Sequence, residues 1–99
     1  MMKISEKTIS FLAKTITGDN EISFYRSGPK LVNFFNEVGF NDEYGQGFPS
    51  RWFYTEEKIK ELNDTDDLVK VFESLLDPRK YIDNENMLEE MVLKLNKYL

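Results

Sequence analysis

Glycine and proline punctuate this 99-residue chain into short stretches in which apolar side chains recur three and four positions apart. That repeat belongs to helices with one buried face. No run of five or more residues alternates with the period of a strand, although residues 21–26 could pair briefly. The pattern predicts an all-α fold: a compact single domain of about five amphipathic helices spanning residues 1–99.

The first helix is expected to start after Ser5 and stop at Gly18, where Gly-Asp-Asn supplies a left-handed cap and turn residues. Ile9, Leu12, Ala13 and Ile16 form its apolar stripe, with Phe11 and Ile4 on the other side, so it should be covered on two faces. After a loop over 19–27, Ser27-Gly28-Pro29 places a cap and a first-turn proline before Leu31, Val32, Phe34, Phe35 and Val38. Gly39 should end that helix. A third helix is expected from Ser50, or from Thr55, to near Asn63. Its stripe of Trp52, Ile59 and Leu62 assigns Trp52 to the core. Trp52, Phe53 and Tyr54 are about 100° apart on a helix, so at least one ring must be partly exposed.

Thr65 is expected to cap a fourth helix, with Leu68, Val69, Val71, Phe72, Leu75 and Leu76 as its buried face and Asp77-Pro78 as its stop. A connector over 79–84 then leads to a last helix with Met87, Leu88, Met91, Val92, Leu95, Tyr98 and Leu99 in one arc. Leu93 lies outside that arc, which marks it as a candidate contact for a neighbour or a homodimer. Leu99 falls inside the apolar pattern with no cap after it, so the chain is expected to be an N-terminal module of a longer protein.

The chain has no cysteine and no histidine, which excludes disulfides, zinc knuckles, thiol chemistry and the commonest general base. No signal peptide or membrane span is legible, and the expected location is cytoplasmic. Residues 1–52 hold six basic and six acidic groups, whereas residues 53–99 hold seven and twelve, so the whole net charge of −5 is C-terminal. That imbalance disfavours nucleic acid, whose phosphates need clustered cations.

Adjacent carboxylates such as Glu56 and Glu57 or Asp66 and Asp67 point apart on a helix and suit caps better than acid/base pairs. Gly45-Gln46-Gly47 lacks the Lys-Ser/Thr of a phosphate loop and reads as a turn. No cofactor is expected and the chain is not expected to be an enzyme. What remains are cations at helix starts, Arg26 and Lys30 beside Ser27 and Arg51 beside Ser50, which could take an anion, form local salt bridges or meet a protein. The loop over 40–50 (FNDEYGQGFPS) should be ordered by its own rings. The candidate partner-binding residues are Arg26, Lys30, Tyr44, Gln46, Phe48 and Arg51, with Leu93 separate from them.

The stretches ISEKTISFLAKTITGDN, YRSGPKLVNFFNEVGFND and YGQGFPSRWFYTEEKIKELN resemble the N-terminal regions of bacterial AbiJ-like abortive-infection proteins and related phage-defence proteins. The resemblance covers nearly the whole chain, and its most distinctive pieces are residues 26–29 and 44–52. It implies a recognition or adaptor domain ahead of a C-terminal effector, often a helical RNase. The arginine–histidine signature of such RNases cannot occur here, so the resemblance assigns no catalytic residue.

The chain is therefore expected to bind a protein partner or trigger, as an adaptor module in antiviral defence. Two other classes compete with this. One is a helix-turn-helix or winged-helix nucleic-acid binder that reads DNA with the third helix; the other is a free-standing acidic inhibitor imitating nucleic acid.

Overall fold

Ser5, Ser27 and Ser50 each turn a hydroxyl back onto the backbone three residues later, and a helix starts at each of them. The computed structural model describes residues 2–99 and contains five α-helices: α1 (Glu6–Thr17), α2 (Gly28–Glu37), α3 (Arg51–Leu62), α4 (Leu68–Leu75) and α5 (Glu85–Asn96). A 3-10 turn, Pro78–Tyr81, joins the last two. Among the described residues there is no strand, at 21–26 or elsewhere. No described helix is long and apolar enough to cross a membrane.

The serine hydroxyls accept from the amides of Thr8 (3.2 Å), Lys30 (3.4 Å) and Phe53 (3.2 Å), each satisfying a donor that the first helical turn leaves open. Of the two expected starts for α3, the earlier is the one formed, and Asn63 ends the helix. Gly18 ends α1 with φ 81°, and a side chain there would run into the Phe24 carbonyl. Thr65 does not cap α4. Its hydroxyl donates to Leu62 O (2.6 Å), closing α3, and accepts from Asp67 N–H (3.2 Å), so α4 opens only at Leu68.

α1 packs most extensively on α3. Its stripe of Ile9, Leu12, Ala13 and Ile16 is buried in one cluster with Leu31 and Phe35 of α2, Ile59 and Leu62 of α3, Leu68, Val71 and Leu75 of α4, and Met91 and Leu95 of α5. The second face of α1 is covered too. Phe11 stacks on Tyr98 with ring centroids 4.2 Å apart, and Thr8 Oγ1 donates to Tyr98 O (3.3 Å). The segment before α1 is strapped to the end of α3 by Asn63, whose side-chain amide bonds both Ile4 N–H (2.8 Å) and Ile4 O (3.0 Å).

Outside α3, four apolar positions differ from expectation: Val69, Val92, Tyr81 and Leu99, the last being 61% exposed beyond the end of α5. Val69 is 44% exposed, because α4 has eight residues and its buried arc runs through Leu68, Val71, Phe72 and Leu75. Val92 is 36% exposed at the edge of the arc on α5. Tyr81, placed by the sequence in a bare connector, is a core residue: its hydroxyl donates to Leu75 O (2.5 Å) and its ring stacks on Phe24 at 5.5 Å. This pair ties the 19–27 loop to the far end of α4.

In that loop Ser23 is buried and its hydroxyl meets no hydrogen-bond partner among the described residues. An unpaired buried hydroxyl costs stability, so Ser23→Ala is expected to be neutral or to stabilise by about 1 kcal/mol. Urea melts of the two proteins measure this, and a loss of stability would show that the hydroxyl is bonded in solution.

Candidate protein-binding surface

The last carbonyls of a helix lack intrahelical donors and carry its negative dipole end. At the end of α1 two arginines supply both the donors and the charge. Arg26 Nη1 donates to Ile16 O (2.9 Å) and its backbone N–H to Thr17 O (3.1 Å). Arg51 Nη2 donates to the same Thr17 O (2.7 Å), Nε to Arg26 O (2.8 Å) and Nη1 to Asp19 Oδ1 (3.0 Å). Both guanidinium groups lie over rings, Arg26 over Phe34 at 5.0 Å and Arg51 over Tyr25 at 4.1 Å. The fork of donors thus joins α1, the 19–27 loop and the start of α3.

Of the roles open to the two arginines, the geometry shows local pairing. Arg26 is buried rather than solvent-facing, because the chain between α1 and α2 folds it back under Ile16. Arg51 is committed at each donor nitrogen, and its charge is met by Asp19. Lys30 remains exposed. Neither arginine is a free cation beside it, since both are spent on carbonyls at the end of α1 and Arg51 also on Asp19.

The 40–50 loop is anchored at Asp42 from two sides, by α2 and by α3. Asn36 bonds Asp42 N–H (2.9 Å) and Asp42 O (3.0 Å), while the Asp42 carboxylate accepts from Tyr54 Oη (2.8 Å) and pairs with Lys58 (2.9 Å). The Lys58 ammonium also sits over the Phe40 ring at 4.4 Å. Its hydrogen bond to Asp42, together with that from Tyr54, holds the carboxyl below the usual range, while burial and then Asp42 push the Tyr54 hydroxyl well above its own. Asp42 is thus a fixed anion that anchors the loop rather than an acid.

Beyond Asp42 the loop packs on its own rings, as expected. Tyr44 lies 4.7 Å from Phe48, and Phe48 4.8 Å from Tyr54. Gly45 O accepts from Phe48 N–H (3.1 Å), and Gly47 takes φ 86°, which makes the glycine pair a turn. The Tyr44 ring rests directly on Gly28, where a side chain could not fit without moving it. Tyr44, exposed Gln46 and half-buried Phe48 line an open depression of about 440 Å³ with Pro49 and Tyr54. A second depression, between the end of α2 and α4, is rimmed by paired charges, Lys80 with Glu37 (3.2 Å) and Arg79 with Asp77 (2.8 Å). The Arg79 guanidinium keeps the Asp77 carboxyl down at about 2.

Trp52 is not a core residue. It is 47% exposed and Phe53 48%, while Tyr54 is the ring that turns inward. Trp52 shares an angular stripe with Ile59, but it lies seven residues, about 10 Å, nearer the helix start. There the inward positions are taken by Tyr54 and Thr55. Tyr25, unmarked by any sequence signal beyond its neighbour Phe24, is 62% exposed, and Tyr44 54%. Tyr25 in the 19–27 loop, Tyr44 in the 40–50 loop and Trp52 and Phe53 in the first turn of α3 are therefore exposed on segments that Arg51 and Asp42 tie to the rest of the fold. Leu93 is 66% exposed on α5 and does not belong to these segments.

Among the described residues no three acidic side chains converge as a metal ion would require. No family model, curated protein or solved structure matches this chain.

Proposed function

We propose that this chain is a non-enzymatic recognition domain that binds a protein partner through the aromatic surface at the start of α3. Its setting, an adaptor in a bacterial abortive-infection or phage-defence protein, is proposed on the sequence resemblance alone. The observation that supports binding is the exposure of Tyr25, Tyr44, Trp52 and Phe53 on backbone that is held in place. Large rings presented rigidly lose little entropy on contact, and Trp and Tyr dominate protein-interface hot spots.

Nucleic acid is the weaker candidate. Aromatic platforms that stack bases work within a basic groove, whereas here Arg26 is buried, Arg51 is paired and the exposed side of α3 carries Glu57 and Glu61. Imitation of nucleic acid needs carboxylates free along one face, yet Asp67, Asp77 and Glu90 are paired with Lys70, Arg79 and Lys94.

Trp52→Ala tests the proposal. It should leave the melting temperature within a few degrees, because surface truncations cost about 0.5 kcal/mol. It should also weaken partner binding at least tenfold, the loss expected when a hot-spot Trp is removed. Proteins crosslinked by the wild-type chain in its host should be lost with Trp52→Ala and Tyr25→Ala and retained with Glu73→Ala on α4. Equal capture by all four would move the binding surface elsewhere. Tight binding to duplex or single-stranded DNA that falls steeply with salt would replace the proposal with nucleic-acid recognition.

A further inference from the structure

The outer face of α5 has a charge pattern that is complementary to itself. Leu93 is 66% exposed, and its neighbours at four residues either way are Glu89 and Lys97, both exposed. Lys97 keeps helical backbone angles, so the three side chains lie within one narrow strip. Among the described residues neither Glu89 nor Lys97 forms an ion pair, although Glu90 and Lys94 on the same helix pair with each other (3.1 Å). The helix dipole favours acid near the start and base near the end, but Glu85 and Lys94 already meet that preference. It gives no reason for a solvated leucine midway between two unpaired opposite charges.

We propose that this strip binds a second copy of the chain, with the two α5 helices antiparallel and Leu93 on the two-fold axis. In a two-fold contact each residue meets its counterpart in reversed order, so Glu89 of one copy faces Lys97 of the other, twice. Leu93 meets Leu93, with the partly exposed Val92 at its side. A parallel pair would set Glu89 against Glu89 and Lys97 against Lys97, which like-charge repulsion disfavours. α5 is held rigidly for this contact by the stacking of Tyr98 on Phe11 and the burial of Met91 and Leu95. One helix face falls short of the roughly 1,000 Å² of a robust interface, so the dimer is weak, with Kd on the order of 0.1 mM.

The test is sedimentation equilibrium of the full 99-residue chain up to about 1 mM, at low and high salt, with thermal melts to establish folding. Leu93→Lys should weaken association at least tenfold. Glu89→Lys and Lys97→Glu should each weaken it about fivefold, since every substitution acts twice across the axis and turns attraction into repulsion. An equimolar mixture of Glu89→Lys with Lys97→Glu should associate at least as tightly as the wild type, because all facing pairs are then opposite in sign. A wild-type chain that stays monomeric throughout overturns the proposal, as does a dimer indifferent to Leu93→Lys. If the mixture is no tighter than its components, the antiparallel arrangement is wrong.

Discussion

Arg51→Ala is expected to lower the melting temperature by about 10–25 °C, the shift that a loss of 2–4 kcal/mol produces in a domain of this size. The substitution leaves Arg26 O and one of the two arginine contacts at Thr17 O without a donor, and it frees Asp19 and Tyr25. Hydrogen bonds from a charged group contribute about 1.5–3 kcal/mol each when buried, and the 24% exposure of the side chain argues for the lower end. Arg51→Lys should recover less than half of the loss, because an ammonium cannot reach three acceptors spread around a planar fork. Arg51→Glu should be worse than alanine, since it sets a carboxylate against Asp19 and the negative end of α1. Lys30→Ala, which removes an exposed cation near the same junction, should change stability by less than about 0.5 kcal/mol. Differential scanning calorimetry of the four variants and the wild type measures the series. If Arg51→Ala melts like the wild type, the clamp carries no stability and Arg51 becomes available again as a contact residue.

The helices were legible because their signals are local. Ser5, Ser27 and Ser50 sit three residues from the amides they cap, and Gly18 lies one residue beyond the helix it ends. The roles of the arginines were not, because each depends on a carbonyl that only the tertiary fold brings near: Arg26 reaches back 10 residues to Ile16, and Arg51 reaches 34 to Thr17. From sequence, a cation beside a capping serine reads equally well as a surface contact and as a C-terminal cap for another helix. Asn63 gave no warning of its bond to Ile4 either, 59 residues away. Trp52 and Tyr81 show the same limit from the apolar side. Periodicity gives the angle of a side chain about its helix and not the distance the core extends along it. A single ring in a short connector has no period at all. The aromatic surface was half visible for this reason: Tyr44 and Phe48 stood out in a glycine-rich loop, while Tyr25 and Trp52 resembled ordinary loop and core residues.

Two glycines separate what the fold requires from what the surface requires. Gly18 takes φ 81°, a left-handed conformation that costs a side-chain-bearing residue about 1–2 kcal/mol. A Cβ there also meets the backbone carbonyl of Phe24, which cannot rotate away as a side chain could. Moving that carbonyl displaces Phe24 from Tyr81 and Arg26 from Thr17, so both ties of the 19–27 loop are loosened together. Gly18→Ala is therefore expected to cost about 3–5 kcal/mol in total, against roughly 5–10 kcal/mol for a whole domain of this size. It should melt lowest of the variants with a single methyl added. At Gly28 the obstacle is the ring of Tyr44, a 54% exposed side chain that can yield by rotation where a backbone carbonyl cannot, and alanine in the first turn of α2 is the better helix former. Gly28→Ala should therefore keep its melting temperature within about 5 °C of the wild type, a change of no more than about 1 kcal/mol. The Tyr44 ring protons should shift in the NMR spectrum as the ring leaves Gly28 and Phe48. If both variants melt alike, the Phe24 carbonyl yields more easily than its bonded surroundings imply, and the 19–27 loop is not the rigid support that the aromatic surface requires.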